Sequence, residues 1–323
     1  MTEHSTETAA DVGNRILDAV DTAVVGMRRP LTFALAAIIA GGHVLFEDVP
    51  GLGKTLAARS LATALGLDFR RMQCTPDMLP GDVTGTFVYS PASGEFSFRA
   101  GPIFAGLLLA DEINRTTPKT QSALLEAMAE GQVTVEGEQF PLPRPFHVLA
   151  TSNPIEYEGT YALPEAQLDR FMVRLTMGYP TRDEEVDVLM HRVERQHPDV
   201  TIDPVLRPGE LAQLQRRVEK VHVERDIAQY CVDICRSTRA STSVSVGASP
   251  RAAQALMLVS RGKAVLAGRD YVLPDDVKEC ASPTLAHRLT LTTQAWAQGV
   301  DPASIVASAV AQTPVPPTAD RQE

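Results

Sequence analysis

The 323-residue chain has little cysteine, no long apolar run and a shortage of positive charge. Its four cysteines are Cys74, Cys231, Cys235 and Cys280. None forms a Cys-x-x-Cys pair and no histidine stands at metal-ligand spacing, so the sequence offers neither a zinc site nor a Cys/His nucleophile. Cys231 and Cys235 are one helical turn apart, which predicts a shared buried helix face. The apolar stretch from Leu31 to Ala40 is too short to cross a bilayer. Met1 to Asp11 is polar and acidic, without the basic start and apolar core of a signal peptide, so the expected location is the cytoplasm, with no membrane insertion. Lys+Arg total 30 against 40 Asp+Glu, a net charge of −10, which argues against general nucleic-acid binding. Arg70-Arg71 and Arg216-Arg217 read as isolated pairs, solvated or interfacial. With 44% apolar and 22% charged residues the composition is that of a soluble globular protein, long enough for two domains.

The most informative segment runs from His43 to Thr55. An apolar strand, His43-Val-Leu-Phe, leads into Pro50-Gly51-Leu52-Gly53-Lys54-Thr55 and a helix start, which is the layout of a phosphate-binding loop. Glycines there let backbone N–H groups turn inward onto phosphate oxygens, and the positive end of the next helix points the same way. Lys54 would reach the β- and γ-phosphates, and the Thr55 hydroxyl would ligate Mg2+. The strict pattern wants glycine five residues before Gly53, and Asp48 stands there.

A second apolar run, Ile103 to Ala110, ends in Asp111-Glu112. Such a run suits a central parallel strand covered on both faces, and its carboxyl end is where open α/β sheets bind ligands. Asp111 would hold Mg2+ through its water shell, and Glu112 would orient and polarise an attacking water.

Along the chain, residues 1–10 read as a disordered tail and 11–180 as an α/β nucleotide-binding domain with a parallel sheet. The pattern predicts helices over Val12 to Met27, broken at Arg29-Pro30, and over Leu31 to Ala40. Two β-hairpins interrupt the domain, at about 85–101 and 131–143, and buried strands are expected over Phe146 to Ser152 and Val173 to Met177. From about Thr181 only helices are expected: a connecting segment to 204, a helical lid domain over 205–312, then a flexible tail over 313–323. Strand order stays open.

The whole run resembles the AAA+ ATPases and, within them, the MoxR family. The resemblance spans about Asp11 to Pro316. It rests on Val25-Gly26, Gly42-His43-Val, Pro50 to Thr55, Gly101-Pro-Ile-Phe104, Ala110-Asp111-Glu112-Ile-Asn114-Arg115, Ala150-Thr-Ser-Asn153-Pro154, Leu163-Pro-Glu-Ala-Gln-Leu-Asp169-Arg170-Phe171 and Gly247-Ala-Ser-Pro250-Arg251-Ala252. Asp48 is a common variant among such relatives. Met27 stands where the family often carries glutamine, close to the base.

The resemblance implies an αβα core plus an all-helical lid, ATP and Mg2+ as cofactors, and the following roles. Gly26, Pro50, Gly51, Leu52, Gly53, Lys54, Thr55 and Asp111 would bind the nucleotide, Thr55 and Asp111 also serving the metal. Glu112 would be the catalytic carboxylate and Asn153 sensor 1, on the γ-phosphate or the attacking water. Arg170 would be an arginine finger for a neighbouring subunit, and Arg251 sensor 2, in cis or in trans. Arg115 would face the subunit interface. The hairpins correspond to the helix-2 and pre-sensor 1 inserts. Their Phe87, Tyr89, Phe96 and Phe98 serve either internal packing or partner contact.

The implied activity is Mg2+-dependent ATP hydrolysis between subunits of a ring homo-oligomer, a hexamer, driving chaperone-like remodelling or maturation of client protein complexes. A von Willebrand factor A domain protein is the implied partner. The alternatives are an ATP-dependent assembly switch, the ATPase subunit of a metal chelatase and, disfavoured by charge, a nucleic-acid remodeller.

Overall fold

A computed structural model describes residues 8–49, 51–92, 94–153, 160–197 and 199–317. The N-terminal half comprises α1 (Ala9–Asp21), α2 (Arg28–Ile39), β1 (Val44–Glu47), α3 (Lys54–Ala64), β2 (Phe69–Gln73), α4 (Pro80–Thr84), β3 (Gly85–Ser90), β4 (Glu95–Ala100), β5 (Leu107–Asp111), α5 (Pro118–Glu130), β6 (Gln132–Val135), β7 (Glu138–Pro141) and β8 (His147–Ser152). After α6 (Glu165–Leu168) and β9 (Val173–Leu175) come α7 (Arg182–Arg195), α8 (Glu210–Lys220), α9 (Arg225–Ala240), β10 (Val244–Val246), α10 (Pro250–Leu266), α11 (Pro274–Leu285), β11 (Thr290–Leu291), α12 (Thr293–Ala297) and α13 (Pro302–Gln312).

Five parallel strands form the central sheet in the order β2-β5-β8-β1-β9. The central strands β5, β8 and β1 are buried almost throughout, because alternate residues serve different faces, both of them covered. Val44 and Phe46 of β1, Leu107 and Leu109 of β5 and Leu149 of β8 join a core with α1, α2, α3 and the lid helices. Leu45, Leu108, Ala110, Val148 and Ala150 join a second core with α5 and the β6–β7 hairpin. Ile234, Leu256, Val277, Leu285 and Val306 of the lid belong to the first of these, so lid and sheet share one apolar interior. The α/β sheet with a C-terminal helical lid is thus as the sequence led us to expect.

Several expectations need correction. The first helix starts at Ala9, because Thr8 and Asp11 cap it reciprocally, so structure begins inside the segment read as tail; residues 1–7 and 318–323 lie outside those described. Arg29-Pro30 does not separate two helices. Both residues lie in the first turn of α2, where a missing N–H costs nothing. The lid is not helices alone, since β10 and β11 pair antiparallel.

The two hairpins are tied by aromatic rings. In β3 and β4, Phe87 pairs with Phe98 and Tyr89 with Phe96, which puts all four rings on one face. Phe98 stacks on Phe140 of β7 with centroids 3.8 Å apart and planes at 11°, and Phe104 meets it edge-on. The distal pair is uncovered, with Tyr89 51% and Phe96 70% exposed. The stripe therefore divides: its base is packing, and its tip is surface.

Candidate active site

The sheet order puts β8 between the phosphate-loop strand β1 and the acidic strand β5. The carboxyl ends of these three strands open into one cleft of about 350 Å3. Lys54, Thr55, Asp111, Glu112 and Asn153 all line it, as do Gly51, Leu52 and Gly53. Sequence positions about 100 residues apart thus converge. Pro50 and Pro154 lie outside the described residues.

Gly51 and Gly53 adopt φ values of 87° and 79°, a region that side-chain-bearing residues rarely enter. Gly53 is also the residue before α3, and no side chain caps that helix start. Its first N–H groups are left to a ligand, and the helix dipole favours an anion there. Lys54 Nζ donates to the Asp48 carbonyl at 2.8 Å. Burial pulls the ammonium below the usual lysine range, while Asp48, Asp111 and Glu112 pull it back.

Asp48 explains its own presence. One carboxylate oxygen accepts from Val49 N at 2.9 Å. The other accepts from Met177 N and Gly178 N at 2.7 and 2.8 Å. The residue where glycine was expected therefore anchors the loop to the chain leaving β9 for the lid.

On β5, Asp111 is 8% exposed. Its Oδ1 accepts from Thr151 Oγ1 at 2.6 Å and its Oδ2 from Thr55 Oγ1 at 3.2 Å. A hydroxyl and a carboxylate oxygen this close are hard donors of the kind that suit Mg2+, so the residues fit the metal the resemblance implies. Glu112 has φ 56°, a left-handed backbone that is unusual for glutamate and carries strain. Its N–H donates to Thr151 Oγ1 at 2.8 Å, and its Oε2 accepts from Gln73 Nε2 at 2.6 Å. Arg115 Nη1 lies 3.4 Å from the same oxygen. Asn153 is 5% exposed, and its carbonyl accepts from Asn114 Nδ2 at 3.1 Å.

Arg71 corrects the reading of Arg70-Arg71. It is no solvated bystander but lines the cleft, with Nη2 2.8 Å from Asp111 Oδ2. No motif marks it or Gln73; the signal is positional, since β2 runs parallel beside β5 and ends level with Asp111.

Gly26 does not line the cleft wall. It sits one step away, because a methyl on Gly53 would come within 3.5 Å of Met27 Cε and 3.6 Å of Val24 Cγ1. The Glu184 carboxylate of α7 closes on Gly26, 2.9 Å from where a β-carbon would stand. Arg170 and Arg251 are also off the cleft. Arg170 Nη1 donates to Leu125 O at 2.9 Å, and its buried Nε has no partner among the described residues. Arg170 does not pair with Asp169, whose carboxylate takes Arg288 at 2.6 Å and Arg251 at 3.7 Å. All four cysteines are buried. Burial raises the Cys74 thiol to about 12, which leaves it inert behind the site.

Two family models match: ATPase family associated with various cellular activities (AAA), over residues 43–173, and AAA lid domain, over residues 236–309. YeaC of Bacillus subtilis (strain 168) is 49% identical over 94% of this chain and 94% of its own length. Chaperone MoxR1 of Mycobacterium tuberculosis is 41% identical over 93% of this chain and 81% of its own. The chain belongs to the MoxR family of AAA ATPases. A crystal structure of a candidate ATPase from Cytophaga hutchinsonii superposes on this MoxR-family chain with TM-score 0.88, at 37% identity and 96% coverage of each. Among the described residues, no helix of this family member is long and apolar enough to cross a membrane.

Proposed function

We propose that this chain hydrolyses ATP, with Mg2+, at the subunit interfaces of a cytoplasmic ring homo-oligomer, a hexamer, and uses the turnover to remodel or mature client protein complexes. The observation that carries the reading is a division of the machinery. Lys54, Thr55, Asp111, Glu112 and Asn153 share a cleft, while outside it Arg251 lies beside Asp169 and Arg170 donates to Leu125 O. A cleft with a phosphate cradle and a water-orienting carboxylate, but without its arginines, calls for a second copy to complete it.

Lys54 and the uncapped start of α3 hold the β- and γ-phosphates. Thr55 and Asp111 would hold Mg2+, which would supply positive charge against the phosphate oxygens. Glu112 aligns a water with the γ-phosphorus and accepts its proton as the new P–O bond forms. ADP leaves with the electrons of the broken bond. Asn153 fixes the water or the γ-phosphate from the end of β8. Arg170 and Arg251 of one subunit reach the nucleotide of the next, so Arg251 acts in trans. The relative named a chaperone supports client remodelling, and the family supports a von Willebrand factor A domain partner.

The test is specific ATPase rate against protein concentration, with assembly size measured in parallel. The reading expects a rate that climbs as rings form, no turnover but retained ATP binding in Glu112→Gln, and lost binding in Lys54→Ala. A flat rate in a monomer would refute the shared site. A Glu112→Gln ring that still supports its partner's function would make the protein an assembly switch instead.

A further inference from the structure

We propose that Arg71 competes with the divalent cation for one oxygen of Asp111, and so sets how tightly the metal of the bound nucleotide is held. This rests on the Mg2+·ATP reading above and adds to it a positioning residue.

The two oxygens of Asp111 face different tasks. Oδ1 is tied back to β8 through the Thr151 hydroxyl, which also accepts the Glu112 N–H. That leaves Oδ2 to face the cleft. Thr55 Oγ1 reaches it at 3.2 Å, which makes Oδ2 the metal side of the carboxylate. Arg71 covers the same oxygen with two N–H groups, Nη2 at 2.8 Å and Nε at 3.1 Å. A guanidinium at that distance fills the place of a hydrated cation, and two positive charges there repel. Only one can be seated at a time.

Exposure decides which group gives way. The Arg71 side chain is 46% exposed and that of Asp111 12%, so the arginine swings out while the carboxylate stays. The displaced guanidinium remains in a cleft lined for phosphate, an anion its planar fork suits. Its departure is felt further on. Arg71 Nη2 also donates to Gln73 Oε1 at 2.9 Å, and Gln73 Nε2 holds Glu112 Oε2 at 2.6 Å. Seating the metal therefore loosens the amide that restrains the catalytic carboxylate. Arg71 acts through Asp111 and Gln73 rather than on substrate.

The experiment is titration of Mn2+, followed by its electron paramagnetic resonance, into the full chain saturated with ADP. Wild type, Arg71→Gln, Arg71→Lys and Asp111→Asn are compared. Arg71→Gln should bind Mn2+ at least about fivefold more tightly than wild type, the scale of a partly exposed ion pair. Arg71→Lys, which loses the two-point bond but keeps the charge, should fall between them, and Asp111→Asn should bind poorly. If Arg71→Gln fails to fold or to take ADP, Arg71→Lys decides, by Mn2+ affinity above that of wild type. Equal or weaker Mn2+ affinity with ADP bound overturns the inference and leaves the nucleotide reading standing, and so does a lowered melting temperature with no gain in Mn2+ affinity. A wild-type chain that takes no ADP overturns both.

Discussion

Arg288 of the lid donates from Nε to Asp169 Oδ1 at 2.6 Å, and the same guanidinium bonds the Asp169, Phe171, Met172 and Thr284 carbonyls. Its side chain is only 4% exposed. Burial lowers its proton affinity, Asp169 restores part of it, and Arg251 adds repulsion. One aspartate thus seats a buried lid cation and stands beside both arginines assigned to a neighbour's site.

Removing that carboxylate should therefore be costly. Asp169→Ala leaves Arg288 buried without its counter-charge, and breaking such a pair costs about 3 kcal/mol. Thermal unfolding should show a clear drop, and trans-activation by Arg251 should weaken with it. A melting temperature equal to wild type would show that the four carbonyls suffice for Arg288.

Restoring the strict phosphate-loop glycine should harm the protein. Asp48→Gly removes the acceptor for three backbone N–H groups, those of Val49, Met177 and Gly178. Each loss is worth about 1 kcal/mol, so denaturant unfolding should register roughly 2–3 kcal/mol. An equally stable Asp48→Gly chain would mean that water replaces the carboxylate freely.

Arg170→Ala should spare the fold and nucleotide affinity, because the side chain makes one bond, to Leu125 O, in its own chain. Turnover should fall by about 10³-fold or more, the range of fingers given in trans. Mixing it with Glu112→Gln chains should recover part of the activity. Intact mixed rings with no recovery at any ratio would place the finger elsewhere.

Acid should destabilise the chain before its carboxylates protonate. Burial drives His43 down to about 3, helped by His147, and drives His147 to about 4. His287 is pushed well below its usual range by burial and by Arg288 and Arg174. The unfolded chain binds these protons below pH 6.5 and the folded chain does not. Stability is therefore full above that pH and is lost as pH falls towards the folded values. Each neutral imidazole costs about 2 kcal/mol by pH 5. Urea midpoints at pH 7 and pH 5 check this, and equal midpoints would contradict it.

The core strands were legible because burial on both faces leaves no polar residue in Leu107 to Ala110, and because Gly51 to Thr55 is a loop whose chemistry is local. Lys54, Thr55, Asp111 and Glu112 could be found that way. Arg71, Gln73 and Arg288 could not. Each acts through a partner some 40 to 120 positions away, set by strand register or lid packing, and each looks like an ordinary surface residue in one dimension. The β10–β11 ladder escaped for a different reason, since strands of three and two residues carry too little alternation to read.

The stack of Phe98 on Phe140 makes the two hairpins a single lever. Through Phe140 the aromatic stripe is joined to the β6–β7 hairpin, and β6 follows directly on the C-terminal end of α5. That helix begins three residues after Arg115, whose short turn starts at Ile113, next to Glu112. The exposed pair Tyr89 and Phe96 and the cleft carboxylate Glu112 are thus joined through packed elements.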